Sequence, residues 1–142
     1  MSRTLFDSSA LYKRYSVEAG REQVLAFLER SQFVVVAAHG LTEIASALHR
    51  QRHDGLLSDD DYDQMMQQVR LDFTDFEIVA LDKRVEAFAI AAMRRARLRA
   101  MDALHVGTAM ASGIDLFVTA DPRQAEAASA VGLAIEWVGG HA

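Results

Sequence analysis

The sequence predicts an α/β fold, a central parallel β-sheet covered by helices on both faces. Two observations carry that expectation. Short apolar runs alternate along the whole chain with segments whose apolar residues recur at helical spacing, and one or two such segments separate each run from the next. A strand buried on both faces of a parallel sheet is apolar throughout, as Phe33 to Ala37 is.

Taken in order, Leu5 and Phe6 begin a strand that stops at Asp7, and Ser8 and Ser9 offer caps for a helix over Ala10 to Tyr15. From Glu18 to Arg30, the stripe Val24, Leu25, Phe27 and Leu28 marks a second helix. Phe33 to Ala37 is the second strand. Thr42 is the expected cap of a third helix, with Ile44, Ala45 and Leu48 facing inward and an end near Asp54 and Gly55. Ser58 opens a fourth, where Asp59, Asp60 and Asp61 complement the helix dipole. Glu77 to Leu81 reads as a strand. The next helix turns Val85, Phe88, Ala89, Ala92 and Ala96 inward and carries Arg94, Arg95 and Arg97 on its polar face. Met101 to Ala111 is a helix rich in small residues, closed by Gly113. Leu116 to Thr119 is a strand, Pro122 to Val131 a helix and Leu133 to Val138 the last strand, after which Gly139 and Gly140 are expected to fray.

The 142 residues, 51% hydrophobic and 25% charged, suit one domain over residues 1–142 with a core at about residues 5–138. With no cysteine, thiolate chemistry and zinc-thiolate sites are excluded. The longest apolar run, Ala87 to Met93, falls far short of a bilayer span, and the first residues lack a secretion-signal pattern. A cytoplasmic protein without a membrane partner is expected. The formal charge of -5 argues against a nucleic-acid partner, but Lys83 to Arg99 holds six basic residues and one acid, so opposite charges are segregated along the chain.

Ligands of open parallel sheets bind at the carboxyl ends of strands. Asp7 ends the first strand, Asp121 follows Leu116 to Thr119, and Glu43 and Asp102 stand in the opening turns of two helices. Each alone has a structural reading as a helix cap or dipole partner. Together on one rim they would repel one another, and a hard divalent cation, Mg²⁺ or Mn²⁺, would keep them ionised. Asp115 precedes its strand and belongs at the opposite end of the sheet. His105, three residues after Asp102, reads either as a packing histidine or as support for the site, and Arg97 and Arg99 lead into the same helix as a solvated face or as phosphate contacts.

Asp7-Ser8-Ser9-Ala10, Thr42-Glu43, Asp102-Ala103-Leu104-His105-Val106-Gly107-Thr108-Ala109 and Thr119-Ala120-Asp121, in this order and spacing, resemble a PIN domain. The resemblance covers Leu5 to Val138 and points to the VapC-type ribonuclease toxins of toxin-antitoxin pairs. It implies metal binding and catalysis by Asp7, Glu43, Asp102 and Asp121, support from Ser8 and Thr119, and Mg²⁺-dependent hydrolysis of an RNA phosphodiester by metal-activated water. It also implies a cognate antitoxin and a homodimer. Gly107 departs from the alanine common at that place in the family. Other readings are a non-catalytic binding or signalling module of the same architecture, a housekeeping nuclease without an antitoxin, and a phosphatase with Asp7 as nucleophile. The last of these chemistries wants an acid where this chain has Ser9.

Overall fold

Helices fill every connection between strands in the computed structural model, which describes residues 2–139, so all the strands run in the same direction. β1 (Arg3–Phe6), β2 (Phe33–Ala37), β3 (Glu77–Val79), β4 (Leu116–Thr119) and β5 (Ile135–Trp137) pair in parallel in the order β3-β2-β1-β4-β5. Between β1 and β2 lie α1 (Ser8–Leu11), a 3₁₀ turn over Tyr12–Arg14 and α2 (Arg21–Arg30). α3 (Gly40–His53) and α4 (Asp59–Asp75) link β2 to β3, α5 (Lys83–Arg95) and α6 (Ala100–Ala111) link β3 to β4, and α7 (Pro122–Ala130) links β4 to β5.

β1 is central, with Leu5 beside Val35 of β2 and Phe117 of β4. The chain grows from β1 toward β3 and then returns to β1's other side as β4, so the order switches direction between β1 and β4. A crevice opens at such a point.

Period-two alternation separates two cores. Phe6, Val36 and Val118 face α1 to α4, where Leu11, Val24, Ile44, Leu48, Val69 and Phe73 pack. Leu5, Val35 and Phe117, one residue earlier in each strand, face Ala92, Val106, Ala109 and Ala127 of α5 to α7. Small residues on that second face let α5 and α6 approach closely.

Several boundaries depart from the sequence expectation for identifiable reasons. Asp7, not Ser8 or Ser9, caps α1, its side chain accepting from Ala10 N, and the helix tightens to a 3₁₀ turn after Leu11. α2 starts at Arg21 because buried Lys13 holds the preceding loop, donating to Glu18 Oε1 at 3.1 Å and Ala19 O at 2.6 Å. α3 starts at Gly40, with two residues between it and the end of β2, so Thr42 lies inside the first turn and His39 occupies the cap position. Ser58 caps α4 through Asp61 N, as expected. α5 ends at Arg95, so Arg97 lies beyond its polar face, and Phe88 is only half-buried. β3 and β5 are shorter than expected, at three residues each. Gly139 is buried beside the Trp137 indole rather than frayed, while Gly140 lies outside the described residues. Among the described residues no helix is long and apolar enough to cross a membrane.

Candidate functional site

Asp7 leaves the end of the central strand and is fully buried. Its Oδ1 accepts from Ala10 N at 2.9 Å and Ser9 Oγ at 2.7 Å, and its Oδ2 accepts from the Thr119 hydroxyl. Thr119 ends the adjacent strand β4, so the two strands flanking the switch point build this pocket jointly. Burial pushes the Asp7 pKa above the usual aspartate value, against the pull of His105 and the hydrogen bonds from Thr119, Ala10 and Ser9. The capping reading and the site reading of Asp7 are compatible: Oδ1 has both lone pairs committed, while Oδ2 keeps one.

Glu43 enters from the first turn of α3. Its Oε1 accepts from Ser8 Oγ at 2.8 Å and His105 Nε2 at 2.5 Å, with His39 Nε2 at 3.4 Å. Burial alone would raise its pKa, but the hydrogen bond and charge of His105, with help from Ser8 and His39, outweigh burial and hold it below the usual glutamate value. His39 Nε2 also meets Met101 O at 2.9 Å, and its ring lies 4.2 Å from that of His105. Burial, then the neighbouring His105, lowers the His39 pKa.

Asp102 stands in the first turn of α6, and its Oδ1 accepts from Gln124 Nε2 of α7 at 3.2 Å. Its pKa is raised by burial and then by repulsion from Asp121 and Glu43, against attraction from His105 and Arg99. That mutual influence links acids from three separate connections. Asp121 caps α7, Oδ1 accepting from Arg123 N at 2.9 Å, and its own N–H donates to Thr119 Oγ1 at 3.0 Å. Asp115 lies at the other end of the sheet, where its Oδ2 accepts from Arg3 N at 2.8 Å. Of the two arginines that lead into α6, Arg99 acts on Asp102, whereas Arg97 is exposed and makes no side-chain contact with the four acids among the described residues.

Two residues at this rim carry no obvious sign in the sequence. His39 could have been found from its place at the end of β2, four residues before Glu43 and so on the same helical face. Gln124 had only its spacing of three from Asp121 to mark it.

The donor set discriminates between ions. His39, Glu43 and His105 offer ligand atoms within 4.8 Å of one another. A carboxylate and a carbonyl only accept, so Nε2 of His105 and Nε2 of His39 both carry protons in these contacts. A histidine bound to metal through one ring nitrogen normally donates the other N–H to an acceptor, and buried His105 Nδ1 has no partner among the described residues. His105 therefore acts as a clamp on Glu43, with the His39 ring beside it. Among the described residues no hydrogen bond reaches Glu43 Oε2, Asp102 Oδ2 or Asp121 Oδ2, and Asp7 Oδ2 keeps a spare lone pair, so the free donors of these acids are all oxygens, although no three of the acids bring ligand atoms within 4.8 Å of one another. Such a set suits Mg²⁺ or Mn²⁺ better than zinc.

A family model of the PIN domain matches residues 4–130. No curated protein matches the chain by sequence. Among solved structures, a chain of FitAcB from Neisseria gonorrhoeae is similar with a TM-score of 0.74 and 17% identity, covering 93% of this chain and 95% of that one. A chain of a toxin-antitoxin complex from Klebsiella pneumoniae has a TM-score of 0.65 and 16% identity over 85% and 88%. VapC20 from Mycobacterium tuberculosis, a sarcin-ricin loop cleaving toxin, has a TM-score of 0.68 and 17% identity over 92% and 95%. At these identities the likeness is one of fold.

Proposed function

The chain belongs to the PIN domain family, and from that premise we propose that it is a divalent-metal-dependent endoribonuclease, a toxin held inactive by a cognate antitoxin. The observation that supports the reading is the placement of Asp7, Glu43, Asp102 and Asp121 where strands end and helices begin at the carboxyl edge of one sheet, with Asp102 under the influence of Asp121 and Glu43. Asp7, Glu43, Asp102 and Asp121 would hold Mg²⁺, with Mn²⁺ able to replace it. A divalent ion bound there supplies positive charge against a scissile phosphate and lowers the pKa of a bound water.

The remaining work falls to the chain's own groups. Thr119, Ser9 and Ala10 N fix the Asp7 carboxylate, Ser8 and His105 fix Glu43, and Gln124 fixes Asp102, so little reorganisation accompanies binding. Asp7 or Asp121 orients the attacking water, and Asp121, which keeps lone pairs beyond the one a metal would take, accepts its proton. The products are a 5′-phosphate and a 3′-hydroxyl. Arg99, beside Asp102, meets a flanking phosphate of the RNA, and Arg97 just before it is the second proposed RNA contact.

An antitoxin partner is supported by the likeness in fold to chains solved in toxin-antitoxin complexes. A homodimer completes the proposal, and exposed Ile90 and Met93 on α5 offer it apolar surface. The test is cleavage of a labelled RNA with Mg²⁺ or Mn²⁺ by the wild type, Asp7→Asn and Asp102→Asn. Wild-type cleavage that EDTA abolishes and both variants lose is expected, and undiminished cleavage by the variants overturns the assignment. Sedimentation of the isolated chain as a monomer would remove the dimer.

A further inference from the structure

A cleft of about 490 Å³ shares Ser8, Ser9 and Glu43 with the carboxylate rim. Ile44, Ala47 and Ala120 supply apolar wall, and Tyr12, Glu18 and Arg50 bring polar groups to it. The volume lies in the range of small-molecule sites and accommodates a purine.

The polar groups of this cleft are the unusual ones. Tyr12 Oη is buried and has no hydrogen-bond partner among the described residues; Ser16 is close enough to influence it without reaching hydrogen-bond geometry. An orphaned buried hydroxyl costs stability unless something else satisfies it. Arg50 makes no ion pair among the described residues, although Arg3, Arg14 and Arg52 all do. Glu18 has one oxygen on Lys13 Nζ at 3.1 Å, which leaves Oε2 open. Glu18 and Arg50 both line the cleft with Tyr12, so an acceptor and a donor of opposite charge border the same space.

Resting on the ribonuclease reading above, we propose that this cleft is a base-specific subsite that takes guanine from the nucleotide next to the cut. Guanine presents two acceptors, O6 and N7, in the geometry a guanidinium meets with two hydrogen bonds, and two donors, N1–H and N2–H, that a carboxylate accepts. Arg50 meets the first pair and Glu18 the second, while the apolar wall covers the ring. Adenine and cytosine turn an exocyclic amino donor toward Arg50. Uracil keeps one acceptor and one donor but lacks N7 and the second donor. The order of preference is therefore guanine, then uracil, then adenine and cytosine. Single-stranded RNA can splay a base into such a pocket.

The test has two arms. In the first, 5′-GMP, AMP, UMP and CMP are titrated against the wild type and Arg50→Ala by NMR. Tighter binding of GMP by roughly tenfold or more is expected in the wild type, as one well-made bidentate base contact provides, with the preference falling toward one in the variant. In the second, single-stranded RNAs that differ only in one base are cleaved, and the ratio of guanine to adenine sites is compared between the two proteins. Arg50 is exposed, so the substitution leaves the fold intact, and a ratio cancels any general loss of activity. Cleavage by the wild type with no guanine preference in either arm, or a preference that survives Arg50→Ala, overturns the subsite while the nuclease reading stands. Selective GMP binding that Arg50→Ala abolishes, without cleavage of any RNA, supports the subsite and overturns the nuclease reading.

Discussion

Replacing Gly107 with alanine tests how tightly the site-bearing helix is held. In the interior of an ordinary helix the change stabilises by about 1 kcal/mol, because alanine loses less backbone freedom. At Gly107 a Cβ would lie 2.6 Å from Ala89 N, 2.7 Å from Val85 O and 2.9 Å from Ala89 Cα, all backbone atoms of α5. Ordinary contacts to carbon begin near ~3.5 Å, so the overlap is on the order of 0.6–0.9 Å. No side-chain rotation relieves it, and α5 and α6 must separate along their shared face. Overpacking of a core costs roughly 1–3 kcal/mol, and three backbone clashes place this case at the upper end. Set against the propensity gain, the net destabilisation is about 1–2 kcal/mol, which for a chain of this size lowers Tm by about 3–7 °C. Because α6 also carries Asp102 and His105, metal affinity should weaken alongside. Thermal or urea unfolding of the two proteins decides the matter. A Gly107→Ala variant as stable as the wild type, or more so, would refute the claim that glycine here permits the helix contact.

Two further outcomes follow from the hydrogen-bond networks. Asp72 accepts from Arg14 Nε at 2.6 Å and Tyr15 Oη at 2.7 Å, and these bonds, with Gln68, outweigh burial and hold its pKa below the usual value. A lowered carboxylate pKa means stability that is present above the unfolded value of 3.8 and is lost as pH falls through the folded one. Arg14 is partly exposed and its pairing is screened, so Asp72→Asn should cost about 1–2 kcal/mol at neutral pH, a deficit that narrows below pH 3.8. Unfolding midpoints of both proteins across that range measure it, and a deficit that does not vary with pH rejects the charge-based account. Mg²⁺ or Mn²⁺ should raise the Tm of the wild type and strengthen its binding to RNA, and Asp102→Asn should remove most of both effects. Equal RNA affinity with and without the ion, or equal thermal shifts in the two proteins, would separate the acidic rim from metal and substrate.

What the sequence disclosed, and what it hid, follows from the range of each interaction. β2 and β4 were legible to the residue because each is a short apolar run without helical spacing, bounded by polar or turn-forming neighbours. Ser58 was legible as a cap because its partner, Asp61 N, is three residues away. The start of α2 was hidden because buried Lys13 sets it through the intervening loop, a tertiary effect that local propensity cannot express. The site divides in the same way. Acids at strand ends and in first turns stand out in one dimension, so Asp7, Glu43, Asp102 and Asp121 could be singled out as candidates. The clamp on Glu43 joins residues 62 apart in sequence, and the Thr119 contact to Asp7 spans 112. Only the β1–β4 pairing makes the second of these contacts, and nothing local to Thr119 announces it.

The charge pattern changes meaning once the arginines are placed. The basic stretch from Lys83 to Arg99 suggests a cationic surface leading into the acidic helix. Yet Arg84 donates to Ala111 O at 2.7 Å, and Arg95 to Ala130 O at 3.0 Å, which are the last residues of α6 and α7. Cations at helix C-termini complement the dipole and satisfy carbonyls that have no partner within the helix. Those ends precede β4 and β5, so they lie at the amino edge of the sheet, away from the acids at its carboxyl edge. Two of the six cations thus fasten helices together. Near the rim the chain offers Arg99 on one side and, from a different helix, Arg50 on the other. Two arginines are few for a polyanion, since each phosphate contact contributes only a modest, salt-sensitive share of affinity. A polyanion approaching four carboxylates therefore depends on a bound cation to reverse the local field. In the proposed ribonuclease, binding of metal and binding of RNA would be coupled by this arrangement, and the formal charge of -5 would not weigh against a nucleic-acid substrate.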